Sequence, residues 1–240
     1  MNFRDVNPEM NQTAETMRIQ IAQLCKTFTL HLQGGLRLPI LSNVDLSVSA
    51  KECVVIHAPS GAGKSTLLRC MYANYRATSG SIKVLHAGHW VDLVQASAQE
   101  IIAVRHQSLG FVTQFLRVIP RVHTLDLVAE PLITRGMSAQ DARLRAEAML
   151  VRLRLPLRLW LLPPATFSGG EQQRVNIARS MICDYPILLL DEPTASLDES
   201  NRDTVLEMLN EARERGTALV GIFHDPAVRK AMATRVFELN

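Results

Sequence analysis

The chain has 240 residues, long enough to bury a substantial core. It is 47% apolar and 20% charged, which suits a soluble globular protein and excludes a disordered or fibrous one. A formal net charge of +3 gives no case for nucleic acid or an anionic membrane. The four cysteines, Cys25, Cys53, Cys70 and Cys183, form no CxxC pair and read as idle thiols in a reducing compartment.

The first residues, "MNFRDVNPEMNQTAETM", contain no apolar h-region, so residues 1–16 read as a poorly ordered extension and not as a signal peptide. "RIQIAQL" (18–24) alternates like a half-buried strand, and Gly34-Gly35 predicts a hairpin turn between edge strands. "ECVVIHA" (52–58) is a short apolar strand, followed by the helix "KSTLLRCMYANY" (64–75) and the strands "GSIKVL" and "WVDLV". A helix over 97–106 and a strand over 109–113 come next. From 122 to 162 the pattern turns helical, with Ser138 and Asp141 suggesting a capping box and Pro156, Pro163 and Pro164 closing the segment. A helix (170–184), the strand "PILLLD", a helix (199–215), the strand "ALVGIF", a short helix and a last strand "RVFEL" complete the chain. No apolar run reaches the ~20 residues of a membrane helix. Alternating strands and helices predict an α/β fold built on a parallel sheet, with an inserted helical segment. The expected organisation is a single domain over 17–240 with its helical subdomain at about 115–168.

Two motifs carry chemistry. "APSGAGKST" (58–66) is a strand-to-helix loop of the P-loop kind. Its residues Ser60, Gly61, Ala62, Gly63, Lys64, Ser65 and Thr66 form a candidate phosphate cradle. Backbone amides from Gly61 to Thr66 can wrap a β-phosphate, Lys64 reaches phosphate oxygens as a point charge, and Ser65 can ligate Mg²⁺. Ala58 stands where the motif has its first glycine. "ILLLDEP" (187–193) predicts a buried strand beside the P-loop strand, delivering Asp191 towards Mg²⁺ and Glu192 towards an attacking water.

With "TFSGGEQQRVNIAR" (166–179), these features resemble the ABC-type ATPase family over nearly the whole chain from about residue 18. The resemblance implies a P-loop NTPase core with an N-terminal antiparallel β subdomain and an inserted α-helical subdomain. It implies ATP and Mg²⁺ as ligands, and a second ABC ATPase subunit, identical or related, as partner. In the family the signature loop, here Ser168, Gly169, Gly170, Glu171 and Gln172, faces nucleotide held by the other subunit, so the chain would be half of a nucleotide-sandwich dimer. Phe167 replaces the family's usual Leu. Gln114 falls at the Q-loop, near Mg²⁺ and the water, and His224 at the switch histidine. Ser196, Leu197 and Asp198 fall at the D-loop, and Phe28 where an aromatic stacks on adenine.

Segments outside the shared motifs narrow the resemblance. "LRLPIL", "ANY", "HWVDLV", "QFLRVIPR" (114–121) and "RLWLLPPATFSGG" look like the ABC-type subunit of the bacterial phosphonate carbon–phosphorus lyase system. That implies a cytoplasmic subunit working beside a soluble lyase core, supporting formation of a ribose 1-phosphonate triphosphate. The alternative is the ATPase of a lipoprotein- or macrolide-exporting transporter, joined to membrane chains. Arg143, Arg145, Arg152, Arg154 and Arg158 crowd the helical segment, but interspersed acids and missing aromatics speak against nucleic acid. His86, His89, His106 and His123 have no metal-ligand spacing.

Overall fold

The structure, a computed structural model, describes residues 17–30, 32, 34–114 and 121–239. The expected extension at 1–16 and residues 115–120 of "QFLRVIPR" lie outside the described residues.

Two sheets organise the fold. Strands β1 (Met17–Leu30), β2 (Leu36–Ser49), β4 (Ser79–His86) and β5 (His89–Asp92) form an antiparallel sheet in the order β2-β1-β4-β5. Strands β3 (Cys53–His57), β6 (Leu109–Val112), β7 (Ile187–Asp191), β8 (Ala218–Ile222) and β9 (Arg235–Glu238) form a second sheet in the order β6-β7-β8-β3-β9. Every pairing in this second sheet is parallel.

The short apolar strands of the parallel sheet are buried on both faces, as the lack of polar alternation in "CVVIH" and "ILLLD" requires. Val54 and Ile56 of β3, Leu189 of β7 and Val220 of β8 face one core, shared with Ile19, Ile21, Val48 and Ile82 of the antiparallel sheet. That core also takes Leu67, Leu68 and Met71 of helix α1 (Lys64–Met71) and Val104 of α2 (Ala98–Gln107). Their sequence neighbours Val55, Leu188, Leu190 and Leu219 face a second core, because successive strand side chains point to opposite sides. Helices α3 (Thr124–Thr134), α4 (Ala139–Arg152), α5 (Gly169–Met181), α6 (Glu199–Glu214) and α7 (Pro226–Met232) pack there.

Five sequence expectations need correction. The β7 strand carrying Asp191 does not lie beside the P-loop strand: β8 stands between β7 and β3. Strand β1 is interior, paired with both β2 and β4, so the Gly34-Gly35 turn joins an edge strand to an interior one. Helix α1 stops at Met71, because Tyr72 caps it and Ala73 takes a left-handed φ of 56°. Helix α5 starts at Gly169 and ends at Met181, three residues short of the expected end. At α4 the Ser138 hydroxyl accepts from the Asp141 amide, giving one half of the expected box.

Gly80 shows how tightly the antiparallel sheet is joined. It takes φ +87° opposite a register shift in β1, and a Cβ there would stand 2.4 Å from the Gln23 carbonyl oxygen. Both the backbone sign and the contact with main-chain atoms oppose any side chain. Gly80→Ala is expected to lose about 2–4 kcal/mol in urea unfolding. A loss under ~0.5 kcal/mol would show that the β1–β4 junction has slack.

Candidate active site

The P-loop residues cross from the end of β3 to the start of α1. Gly61 and Gly63 take φ of 81° and 94°, left-handed values that favour glycine. Gly63 caps α1, and the first turn has neither a side-chain cap nor an acidic residue. Its amides and the positive end of the helix dipole are therefore free for an anion. The Lys64 ammonium lies folded onto the loop, donating to the carbonyls of Ala58 (2.8 Å) and Pro59 (2.9 Å). The loop thus holds a cation against its own backbone.

Strand β7 delivers two acids to the same end of the sheet. Asp191 is 4% exposed, and the Ser65 hydroxyl donates to its carboxylate at 3.0 Å. Burial pushes the Asp191 carboxyl above its ordinary value; the Ser65 bond opposes that shift and the Glu192 charge adds to it. Glu192 follows in a left-handed conformation, φ 52°, held by its amide donating to the Ile222 carbonyl at 3.1 Å. For a non-glycine residue this geometry costs about 1–2 kcal/mol, and it turns the carboxylate out of the strand direction. One Glu192 carboxylate oxygen then meets His224 Nε2 at 2.6 Å, and the other accepts from Gln114 Nε2 at 3.2 Å. Residues from β3–α1, β6, β7 and β8 thus converge at one end of the parallel sheet.

The signature residues are built differently. Ser168 caps α5: its hydroxyl accepts from the Glu171 amide, while Glu171 accepts from the Ser168 amide (2.8 Å) and hydroxyl (2.7 Å). Both bonds hold the Glu171 carboxyl below its ordinary value. Gly169 has open space where a Cβ would be, and Gly170 packs against Ser196, whose carbonyl would lie 3.0 Å from such a Cβ. Gln172 donates to the Phe167 carbonyl. Leu197 and Asp198 follow in the same turn, with Asp198 capping α6 through the Asn201 amide. Among the described residues, no hydrogen bond joins 168–172 to the phosphate loop at 58–66. Phe28 sits half-buried on β1, edge-on to Tyr75 at 5.3 Å with the Lys26 ammonium 4.6 Å from its ring centre.

Other candidates resolve into ordinary roles. Arg143 pairs with Asp126, Arg152 with both Glu211 oxygens, and Arg154 donates to Ser200. His86 bonds Ser108, and His106 bonds Thr134. No group of three or more His, Cys, Asp or Glu side chains able to hold a metal occurs among the described residues. Burial pushes the Cys53 thiol up to about 12 and Cys70 to about 11, which suits unreactive core thiols.

Sequence reasoning missed two buried amides. Gln173 and Asn176, 3% and 6% exposed, point from α5 to main-chain carbonyls at the ends of β6 and beyond β7. Their signal was present: two amides three apart on a helix whose neighbours Val175, Ile177 and Ala178 are core.

A profile of the family described as "ABC transporter" matches residues 41–195, which is more than half of the chain. The chain belongs to the ABC-type ATPase family. Its curated relatives include a lipoprotein-releasing system ATP-binding protein LolD of Shewanella oneidensis, 38% identical over 215 residues, covering 89% of this chain and 90% of the relative. A macrolide export ATP-binding/permease protein MacB of Bradyrhizobium diazoefficiens is 35% identical over 222 residues, covering 92% of this chain but 33% of the relative. Among solved structures, a dimeric post-hydrolysis state of the ATP-binding cassette MJ0796 with ADP and Pi superposes with a TM-score of 0.83. It is 30% identical, covering 92% of this chain and 94% of that one. The ABC ATPase fold, with its antiparallel sheet and parallel sheet, is the fold described above.

Asp191 gives a pH test. Folding raises its pKa, so its contribution to stability is fullest below the unfolded value and is lost as pH rises through the folded one. Asp191→Asn is therefore expected to raise the Tm of the nucleotide-free protein at pH 7 by about 2–4 °C. The gain should shrink as pH falls towards about 4. A lower Tm at pH 7 would mean that favourable contacts, and not burial, dominate this carboxylate.

Proposed function

We propose that this ABC-type chain binds and hydrolyses ATP as one half of a nucleotide-sandwich dimer. One observation carries the reading: at the end of β7, Asp191 takes the Ser65 hydroxyl of the phosphate loop while its chain neighbour Glu192 takes Gln114 and His224, so two hydrogen-bonded sets stand side by side. Among the described residues the signature loop of the same chain makes no hydrogen bond to that loop, which leaves it to serve a second copy's site. The dimeric MJ0796 structures support that arrangement.

The donor set fits Mg²⁺. Ser65 hydroxyl and Asp191 carboxylate are hard oxygen ligands 3.0 Å apart, with the Gln114 side chain nearby, and the remaining positions are left for phosphate and water oxygens. When bound, the ion supplies neutralisation of phosphate charge. The chain's own residues do the rest. Lys64 exchanges the Ala58 and Pro59 carbonyls for phosphate oxygens, and amides from Gly61 to Thr66 bind the β-phosphate. Glu192 polarises a water, with His224 and Gln114 fixing its two oxygens. Phe28 offers a ring face for adenine, and Ser168 with the α5 N-terminus offers donors to the partner's γ-phosphate.

We infer further that this motor serves phosphonate breakdown, as a subunit of the PhnL type in the carbon–phosphorus lyase machinery. The segments outside the nucleotide motifs support it, above all "QFLRVIPR", "HWVDLV" and "RLWLLPPATFSGG". The named relatives support a second reading, the ATPase of a lipoprotein-releasing or macrolide-export transporter. These relatives, 38% and 35% identical, support the transport reading better than the phosphonate one, which rests on the sequence segments alone. No helix among the described residues is long and apolar enough to cross a membrane.

Tagged Glu192→Gln protein is expected to bind ATP with turnover reduced about 100-fold or more. Captured with ATP from its own host growing on a phosphonate, it should bring down soluble lyase subunits and a second ATPase. Recovery of an integral permease instead would establish the transport reading. Ser168→Arg should keep nucleotide binding in cis yet abolish ATP-dependent association; normal turnover in that variant would refute the two-subunit site.

A further inference from the structure

Helix α5 begins at the signature loop and runs along β6, an outer strand of the parallel sheet. The Ser108 carbonyl accepts from the Ile187 amide of β7. By strand alternation, the carbonyls of Phe111 and Thr113 therefore face away from β7 and need other donors. They find them on one face of α5. Asn176 donates to the Thr113 carbonyl at 2.6 Å, Gln173 approaches it at 3.5 Å, and the Ser180 hydroxyl donates to the Phe111 carbonyl at 3.2 Å.

Gln173 makes a second and better bond, donating to the Pro193 carbonyl at 3.0 Å, and its own side-chain oxygen lies 3.4 Å from Asn176 Nδ2. One amide thus spans two strand ends. Thr113 immediately precedes Gln114, and Pro193 immediately follows Glu192, the two side chains bonded to each other at 3.2 Å. Five residues back along the same helix is Ser168. Buried amides whose donors are all engaged hold their partners firmly, since leaving such carbonyls unpaired costs about 1–3 kcal/mol each.

We propose that Gln173 and Asn176 are positioning residues that tie the signature loop to Gln114 and Glu192, so that nucleotide at a chain's own phosphate loop resets the signature loop it offers to its partner. The tie rests on the nucleotide reading above. It gives the two sites of a sandwich dimer a route of communication inside each chain, separate from contacts across the interface. A displacement of Gln114 or Glu192 reaches Thr113 and Pro193 through the backbone. From there it passes through two side-chain amides to the first turns of α5, and so to Ser168.

The test is hydrogen exchange on the full chain, diluted until sedimentation shows a monomer, with and without a non-hydrolysable ATP analogue and Mg²⁺. In the parent chain, nucleotide should slow exchange in peptides covering 58–66 and also alter it in peptides covering 168–176, each by about three-fold or more. Gln173→Met keeps the side-chain length and removes the donors. It should keep the response at 58–66 and lose the response at 168–176. Asn176→Leu, of the same branched outline, should do the same, and it carries the test if Gln173→Met fails to fold. A parent chain whose signature peptide ignores nucleotide, or variants that keep the full response, would overturn the tie. Absence of protection at 58–66 in the parent would instead overturn the nucleotide site, and the tie with it.

Discussion

A parallel sheet buried on both faces has no room for a polar side chain except beyond the ends of its strands, because an unpaired polar group inside would cost several kcal/mol. This constraint arranges the whole site. Strands β3, β7 and β8 have apolar side chains on both faces, and each hands over a chemical group as it leaves the sheet. The phosphate loop follows His57, the acids Asp191 and Glu192 close β7, and His224 follows β8 by two residues. The strands are parallel, so all these departures occur at one end. Chemistry is concentrated there by topology before any side chain chooses a partner.

Within that cluster the two adjacent acids are held in different ways. Asp191 remains buried beside a single hydroxyl, at a cost seen in its raised pKa, whereas Glu192 is turned outward by a left-handed backbone and shared between an imidazole and an amide. Adjacent acids thus acquire different environments, one fully buried, one partly buried and steered. Such divergence suits a division of labour between cation holding and proton handling.

The legible parts of the sequence were those where a local pattern has one physical solution. "CVVIHAPSGAGKS" can hardly be other than a buried strand turning through glycines into a helix, and the structure has β3 and α1 there. Strand order was less accessible: nothing in "ILLLD" says that β8 intervenes between β7 and β3, because neighbours in a sheet are chosen by long-range packing. The α1 terminus was missed since Tyr72 and Asn74 carry no breaker signal, and the stop lies in the left-handed Ala73 between them. Gln173 and Asn176 escaped notice because they carry no motif chemistry of their own beside the signature residues. Which carbonyls they meet becomes apparent only once β6 is known to be an outer strand.

That position of β6 has a bearing on solubility. An outer strand exposes a row of main-chain donors and acceptors that can template pairing with another chain. Here the outward carbonyls of Phe111 and Thr113 are already spoken for by side chains of α5, which lies over them as a cover. The helix that presents the signature loop thereby also shields the sheet from edge-to-edge growth. During synthesis, β6 emerges long before α5, so this row stays bare until some sixty further residues have been made. A chaperone, or rapid docking of the helical segment, would matter most in that interval.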